Sequence, residues 1–129
     1  MNDSNSPAVL HNLAVVRGAV SHEPNERRLA SGVGVVQFDV ATCVESDGKH
    51  AKVSVPIAWH DPSPAQLGLL VVGLEVVVIG TVRRRFFRVG GATQSRTEIL
   101  ADVVIPARHR RRVDTALQRV AASLIEPTI

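Results

Sequence analysis

Hydrophobic and polar residues alternate with a period of two along most of the chain, which is typical of half-buried β-strands. The alternation predicts five strands, over residues 12–20, 32–42, 52–60, 75–89 and 93–105. Asp47-Gly48 and Gly90-Gly91 have the composition of hairpin turns. The polar stretch over residues 21–32, with Pro24 and Gly32, predicts a loop between the first two strands.

Two segments have helical rather than strand spacing. After the third predicted strand, Asp61 or Ser63 is placed to cap a short helix that Gly73 would end. Near the end of the chain, apolar residues at helical spacing predict an amphipathic helix that must cover a surface. They are Val113, Leu117, Val120, Ala121 and Leu124.

The order of these elements predicts an all-β fold, a five-stranded OB-fold barrel with a short helix between its third and fourth strands. The barrel domain is predicted over residues 12–106, after a disordered segment over 1–11. The amphipathic helix and tail occupy 107–129. Pro56 cannot donate a ladder hydrogen bond, so an edge or a bulge is expected there.

Charge is concentrated although the net charge is only +3. Nine arginines fall in two groups, Arg83, Arg84, Arg85, Arg88 and Arg96, and Arg108, Arg110, Arg111 and Arg112. Such patches attract phosphates or anionic proteins. The single cysteine, Cys43, has no internal partner, and we find neither a signal peptide nor a membrane-length apolar run. A cytoplasmic, nucleoid-associated protein is expected.

Catalytic chemistry has little support in the sequence. The five histidines are scattered without the spacing of metal ligands, and there is no glycine-rich phosphate loop or nucleophile elbow. We expect neither an enzyme nor a bound metal or cofactor.

The fourth strand carries the strongest candidate chemistry. Side chains alternate along a strand, so one face reads Thr81, Arg83, Arg85, Phe87. Cations followed by a ring suit single-stranded nucleic acid, because arginines hold phosphates and the ring stacks a base. The other face, with Phe86, continues the face that should point into the barrel.

Five short motifs, in order over residues 12 to 105, resemble the bacterial single-stranded-DNA-binding protein (SSB) family. They comprise Asn12, Ala14, Val16, Gly18 and Val20; Gly32, Gly34, Val35, Val36, Phe38, Val40 and Ala41; Ala58-Trp59; Val76, Val78, Gly80, Val82, Arg83, Arg85 and Phe87; and Arg96, Glu98, Ile99 and Ala101. The resemblance implies an OB-fold, single-stranded DNA as ligand, and a homo-oligomer, usually a tetramer, though a dimer is open.

A site follows from the residues and the resemblance together. Arg83, Arg85 and Arg88 would hold phosphates, and Phe87 and Trp59 would stack bases. The secondary phosphate candidates are Arg17 and Arg96. Trp59 has two interpretations: half-exposed, it stacks a base, and buried, it belongs to the core. The function implied is protection of single-stranded DNA, without sequence preference, in replication, recombination or repair.

The chain also departs from the family pattern. It has four aromatic residues and no tyrosine, and Val53 and Val55 stand where the family has an aromatic and a basic residue. The acidic tip by which family members recruit repair proteins has no counterpart, which indicates an atypical or paralogous member. The alternative is an OB-fold protein-interaction module of the replication machinery with weak or no DNA binding. Leu13, Val15, Val53 and Val55, if exposed, would favour oligomerisation.

Overall fold

The computed structural model describes residues 11–125. Its elements, in chain order, are β1 (Ala14–Val20), β2 (Asn25–Arg28), β3 (Gly34–Ser46), β4 (Lys49–His60), α1 (Pro64–Leu69), β5 (Glu75–Val89), β6 (Ala92–Pro106) and α2 (Arg110–Ile125). The disordered segment predicted for residues 1–11 lies outside the described residues except for His11.

Five of the strands close into a barrel. β1 pairs with β5 along most of its length and turns onto β3 at Ala19 and Val20. β5 then pairs with β6, β6 with β4, and β4 with β3, so the ring is complete. The one parallel contact in this ring joins β4 to β6. The five-stranded barrel that the sequence predicted is confirmed.

The barrel interior is filled by the inward row of each strand. This row matches the predicted period of two, because every second residue of β3, β4 and β5 lies in the core. The buried residues are Val20, Val36, Phe38, Val40, Ile57, Trp59, Leu70, Val76, Val78, Ile99, Ala101 and Val104. These side chains are mostly Val and Ile, which suit the pleated inner surface of a small barrel.

The prediction of a plain loop over residues 21–32 is wrong. Asn25–Arg28 forms β2, which pairs antiparallel with Gly34–Gln37 on the outer edge of β3. All four β2 residues are exposed, so no apolar alternation marks this strand in the sequence. Backbone pairing to an existing edge, rather than burial of side chains, accounts for it.

The two hairpin turns lie at the glycine-containing pairs at which the sequence predicted them. Asp47 and Gly48 have φ of 52° and 74°, and Gly90 and Gly91 have φ of 58° and 82°. Both pairs adopt the left-handed conformation that two-residue hairpins require. The two hairpin predictions are therefore confirmed.

Pro56 lies at an edge rather than in a bulge. It pairs with Asp39 in an unbroken β3–β4 register, and the β6 pairing of β4 begins one residue later, at Ile57. A register shift lies elsewhere, between β5 and β6. Ile79 pairs with Val103 and Gly80 with Ala101, which leaves Asp102 as an extra residue in β6.

The two helices cover different parts of the barrel. Ser63 caps α1 in a reciprocal capping box with Gln66, and α1 ends at Leu69, before Gly73. Helix α2 lies on the outer surface over Val77 and Ile79. The helix residues that pack on this surface are Val113, Ala116, Leu117 and Val120. Leu13, before β1, packs against the same cluster.

This placement changes two expectations about exposed apolar residues. Leu13 is half-buried beside α2, and Val55 packs against the barrel core. Ala121 and Leu124, predicted on the covered face of the helix, are exposed in its last turns. Less apolar surface of the strands, and more of the end of α2, is therefore exposed than the sequence indicated.

Candidate nucleic-acid interface

Two long hairpins project from the same end of the barrel. Because β4 and β6 are parallel, the turns that precede them lie at the same end. The pairing between β4 and β6 begins only at Ile57 and Ile99. The preceding parts of these strands, Lys49–Pro56 and Ala92–Glu98, therefore extend beyond the closed barrel. Seven or eight residues span about 25 Å. We call the hairpin of residues 42–55 the β3–β4 arm and that of residues 81–98 the β5–β6 arm.

The β5–β6 arm is strongly basic. It contains Arg83, Arg84, Arg85, Arg88 and Arg96, and no acidic residue occurs between Gly80 and Thr97. The whole chain has a net charge of +3, so the rest of the molecule is net negative. The arm therefore contributes a strong local field that attracts anions.

The base of this arm is fixed by Asn12. Its side-chain amide donates to the carbonyl of Val82 at 2.7 Å and accepts from the Val82 amide at 2.8 Å. The side chain thus mimics a paired strand residue just before β1 begins. This contact ties the first residues of the arm to the barrel wall.

One face of the arm, which we call its outer face, carries Arg83, Arg85 and Phe87. It contains a buried carboxylate between these two arginines. Glu98 is 3% exposed, and it accepts from Arg83 at 2.8 Å and from Arg85 at 3.4 Å. One negative charge faces two positive charges, so the group remains net positive. We call Arg83, Arg85 and Glu98 the Glu98 cluster.

The rest of the outer face is only half available to a ligand. Phe87 is half-buried, and the Arg85 guanidinium lies over its ring at 5.2 Å from the centroid. Arg96 pairs with Asp39 at 3.3 Å, which balances its charge. The predicted row of Arg83, Arg85 and Phe87 is therefore present on one face, but both arginines already contact Glu98.

The opposite face of the arm is the more exposed one. Val82, Arg84, Phe86 and Arg88 are all exposed, and Phe86 is 67% exposed. The expectation that this face points into the barrel is wrong. Its parity does continue Val78, but past Gly80 the arm extends beyond the barrel end, so there is no interior for these side chains to enter.

The arginines on this face lack an acidic partner within the described part of the chain. Arg84 donates to the Ser95 hydroxyl at 3.0 Å, and Arg88 donates to the Gly91 carbonyl at 2.7 Å. Neutral acceptors leave both positive charges unbalanced. The sequence Arg84, Phe86, Arg88 thus places an exposed ring between two uncompensated cations.

Trp59 does not belong to this surface. It is 5% exposed and lies in the barrel core, on the inward row of β4 with Val55 and Ile57. The prediction that Trp59 stacks a base is wrong, because no ring face is open to solvent. Of the two interpretations of this residue, the buried one holds.

Arg17 also lies away from the arms. It pairs with Glu75 at 2.6 Å and stands opposite Val77, toward the far end of the barrel. It lines a surface pocket with Arg108 and Arg110 instead. The structure therefore does not bring Arg17 together with Arg83, Arg85, Arg88 and Arg96.

Glu98 is the residue whose role the sequence did not reveal. In the sequence it stands only as one position of the fifth family motif. The register Arg83↔Glu98 and Arg85↔Arg96 puts it across from the arginine row. Strand parity alone would have placed Glu98 on one face with Arg96, but not opposite Arg83 without the register.

The Glu98 cluster gives a stability prediction. Glu98→Gln removes a buried charge and leaves two arginines without a counterion, so we expect the free energy of unfolding to fall by about 1–2 kcal/mol. This is below the range for fully buried pairs because the Arg83 and Arg85 side chains are 34% and 24% exposed.

Urea unfolding of Glu98→Gln measures this change, and Asp39→Asn is the control. Asp39 is 30% exposed and its partner Arg96 is 46% exposed, so that pair should contribute less than about 1 kcal/mol. Equal losses in the two variants would contradict a special role for the buried carboxylate.

Other kinds of site find no support in the described residues. Between residues 11 and 125, no group of three or more His, Cys, Asp or Glu residues is arranged to hold a metal ion. No helix in this part of the chain is long and apolar enough to cross a membrane.

Comparison with known proteins relates the fold to solved structures, among them a complex with DNA. No protein-family model matches the sequence, and a search of curated proteins finds no match. The chain is similar to the solved structure of the Plasmodium falciparum SSB in complex with ssDNA. The sequence identity is 23%, the match covers 78% of this chain and 97% of that one, and the TM-score is 0.66.

The likeness shows that the chain has the fold of that protein, a closed barrel of the OB class. The sequence resemblance is thereby confirmed at the level of fold. Membership of the bacterial family stays a prediction. At 23% identity, the ligand of the Plasmodium protein does not by itself assign a ligand to this chain.

Proposed function

We propose that this protein binds single-stranded DNA without sequence preference, through the β5–β6 arm. The observation that carries the proposal is the exposed Phe86 ring between Arg84 and Arg88, whose charges no described carboxylate balances. The fold shared with an SSB that was solved with ssDNA supports the same ligand. The biological role that fits is protection of single strands in replication, recombination or repair.

The two faces of the arm would contribute differently. Arg84 and Arg88 contact phosphates directly, and Phe86 stacks a base. The Glu98 cluster adds the field of its surplus charge and holds Arg83 and Arg85 in place, while Phe87 offers the ring face that Arg85 leaves free. Stacking tolerates any base, because every base has a π-face. Binding without sequence preference follows.

A titration of fluorescent oligo-dT at several salt concentrations tests this proposal. Single strands lose about 0.7 in log–log salt slope per phosphate contact, so Arg84 and Arg88, with the one surplus charge of the Glu98 cluster, should give a slope of about −1.4 to −2. A duplex of the same length is the control, because its stacked bases cannot reach a ring. Absence of binding to oligo-dT at low salt, or equal binding of the duplex, would contradict the proposal.

We propose homo-oligomerisation as a second property, on narrower grounds than the sequence suggested. Val15 is 46% exposed and pairs with Ile79, which α2 covers. This β1 flank of α2, on the side away from β6, is the apolar strip through which two copies would meet. Light scattering at micromolar concentration decides this, and a monomer would rule it out.

The protein-interaction alternative rests on a different surface. Leu69 ends α1 and is 41% exposed, and Val71 and Val72, between α1 and β5, are 57% and 54% exposed. Adjacent exposed apolar residues of this kind suit a protein partner more than a nucleic acid. If oligo-dT does not bind at low salt, this turn is the first place to examine for a partner of the replication machinery.

A further inference from the structure

We infer that α2 forms a second contact for single-stranded DNA, continuous with the β5–β6 arm, through a groove that Arg111, Arg112 and Arg119 share with β6. The inference rests on the proposed function and extends the ligand path from the arm to the helix. It concerns strands too long to be held by the arm alone.

The groove runs between α2 and the outer face of β6. Its lining residues are Val103, Ile105, Arg111, Arg112, Thr115, Ala116 and Arg119. On the helix, Arg112 and Arg119 are seven residues apart, so they lie on the same side and about 10 Å from each other along the axis. Val103 is 37% exposed and provides an apolar floor beneath these cations.

The arginines of this groove are without acidic partners. All three are exposed, and none lies within salt-bridge distance of a carboxylate in residues 11–125. The first turn of α2 contains no acidic residue, so the positive end of the helix dipole adds to the charge of Arg111 and Arg112. An anionic ligand would reduce the repulsion among these positive charges.

The helix runs from the far end of the barrel back toward the arm. His109 donates to the Pro106 carbonyl just before α2 begins, and Pro106 pairs with Val76 at the start of β5. The helix then reaches Leu13, whose neighbour Ala14 pairs with Gly80 at the base of the arm. Arg119 therefore lies toward the end of α2 that is nearer the arm.

The groove and the outer face of the arm, on which Arg83 and Arg85 lie, form one continuous surface. Val77 and Ile79, beneath α2, have the same strand parity as Arg83 and Arg85, and β5 has no extra residue between them. Ile79 and Arg83 are four residues apart, or about 13 Å. The arm is only two strands wide, so a DNA strand that stacks on Phe86 can pass around its edge to the Glu98 cluster and continue along the outer face into the groove.

Single-stranded DNA fits this groove better than a folded acidic partner does. Spaced cations above an apolar floor match a ligand with regular phosphates and flat apolar bases. The charges of the groove also lie on the same face as the surplus positive charge of the Glu98 cluster, which belongs to the proposed DNA site. We therefore assign the groove to the same strand that the arm binds.

The test compares two oligo-dT lengths, about 8 nucleotides, within the site size of one OB-fold, and about 20. The variant is Arg111→Gln/Arg112→Gln/Arg119→Gln. The control, Arg27→Gln/Arg28→Gln/Arg110→Gln, removes the same charge from β2 and from another side of α2, where Arg110 lines a pocket with Arg17 and Glu75.

The groove variant should lower the salt slope for the longer strand by about 2, at about 0.7 per lost contact, and leave the 8-nucleotide strand unchanged. The control should change neither. Equal effects of variant and control on the longer strand would overturn the inference while leaving the proposed function in place. Failure of the wild-type protein to bind either strand would overturn both.

A second readout does not depend on removing charge. An environment-sensitive dye on Thr115→Cys, in a Cys43→Ser background because Cys43 is exposed, reports on the groove itself. The 20-nucleotide strand should change its emission and the 8-nucleotide strand should not. A dye that responds to neither, under conditions where both strands bind, would overturn the inference.

Discussion

Replacing Gly80 with alanine should lower the free energy of unfolding by about 3 kcal/mol or more, the upper part of the range for overpacked cores. An added Cβ at this position would overlap the Leu100 carbonyl oxygen and stand 2.9 Å from the Cα of Ala101. Both atoms belong to the backbone of β6, so no side-chain rotation relieves the clash. The two strands must separate instead.

The position of Gly80 makes this separation costly. It lies at the register shift between β5 and β6, where the covered half of β5 ends and the arm begins. Its neighbours in β5 and β6, including Val78 and Ile99, are in the barrel core. Moving the strands apart would open that core and loosen the attachment of the arm.

Thermal unfolding of Gly80→Ala measures the effect, which should be a decrease in Tm of about 10 °C or more. Gly34→Ala is the matched control, because nothing lies within 4 Å of its added Cβ and its φ is not positive. A Gly80→Ala protein as stable as Gly34→Ala would show that β5 and β6 are not packed as closely here as the structure has them.

The barrel could be predicted from the sequence because burial leaves a strong trace. Val36, Phe38 and Val40 alternate with polar residues as one inward row, and Asp47-Gly48 and Gly90-Gly91 fix the hairpins. β2 left no such trace, because all its side chains are exposed and only its backbone is paired. Edge strands of this kind have no sequence period to detect.

The site was less predictable because it depends on where the barrel ends. Strand parity correctly separated Phe86 from Phe87, but parity cannot tell whether a face meets a core or solvent. That depends on how far β5 runs past its neighbours, which is a property of the sheet. The same reason applies to Trp59, whose motif position was known although its direction relative to the barrel wall was not.

Phe86→Ala should weaken binding of oligo-dT by a factor of about 5 to 150, because stacking on an aromatic ring contributes roughly 1–3 kcal/mol per base. Phe86 is 67% exposed between Arg84 and Arg88, so its ring is open to a base. Phe87→Ala should cost less, because that ring is half-buried and Arg85 lies over it. This order reverses the expectation drawn from the sequence.

Stability separates the two rings independently of DNA. Phe86→Ala should leave thermal unfolding nearly unchanged, since an exposed ring buries little apolar surface. Phe87→Ala should lower stability modestly, through the lost contact with Arg85, an interaction of about 0.5–1 kcal/mol at exposed sites. Anisotropy titrations and thermal melts of the same two variants give both comparisons.

Removing the charges that flank Phe86 tests the phosphate contacts directly. Arg84→Gln/Arg88→Gln should reduce the salt slope by about 1.4, at about 0.7 for each phosphate contact with a single strand. Arg96→Gln is the control on the same arm, because Asp39 already balances its charge. If Phe87→Ala proves the costlier ring and Arg84→Gln/Arg88→Gln leaves the slope intact, DNA binds the outer face of the arm, and the Glu98 cluster becomes the phosphate site.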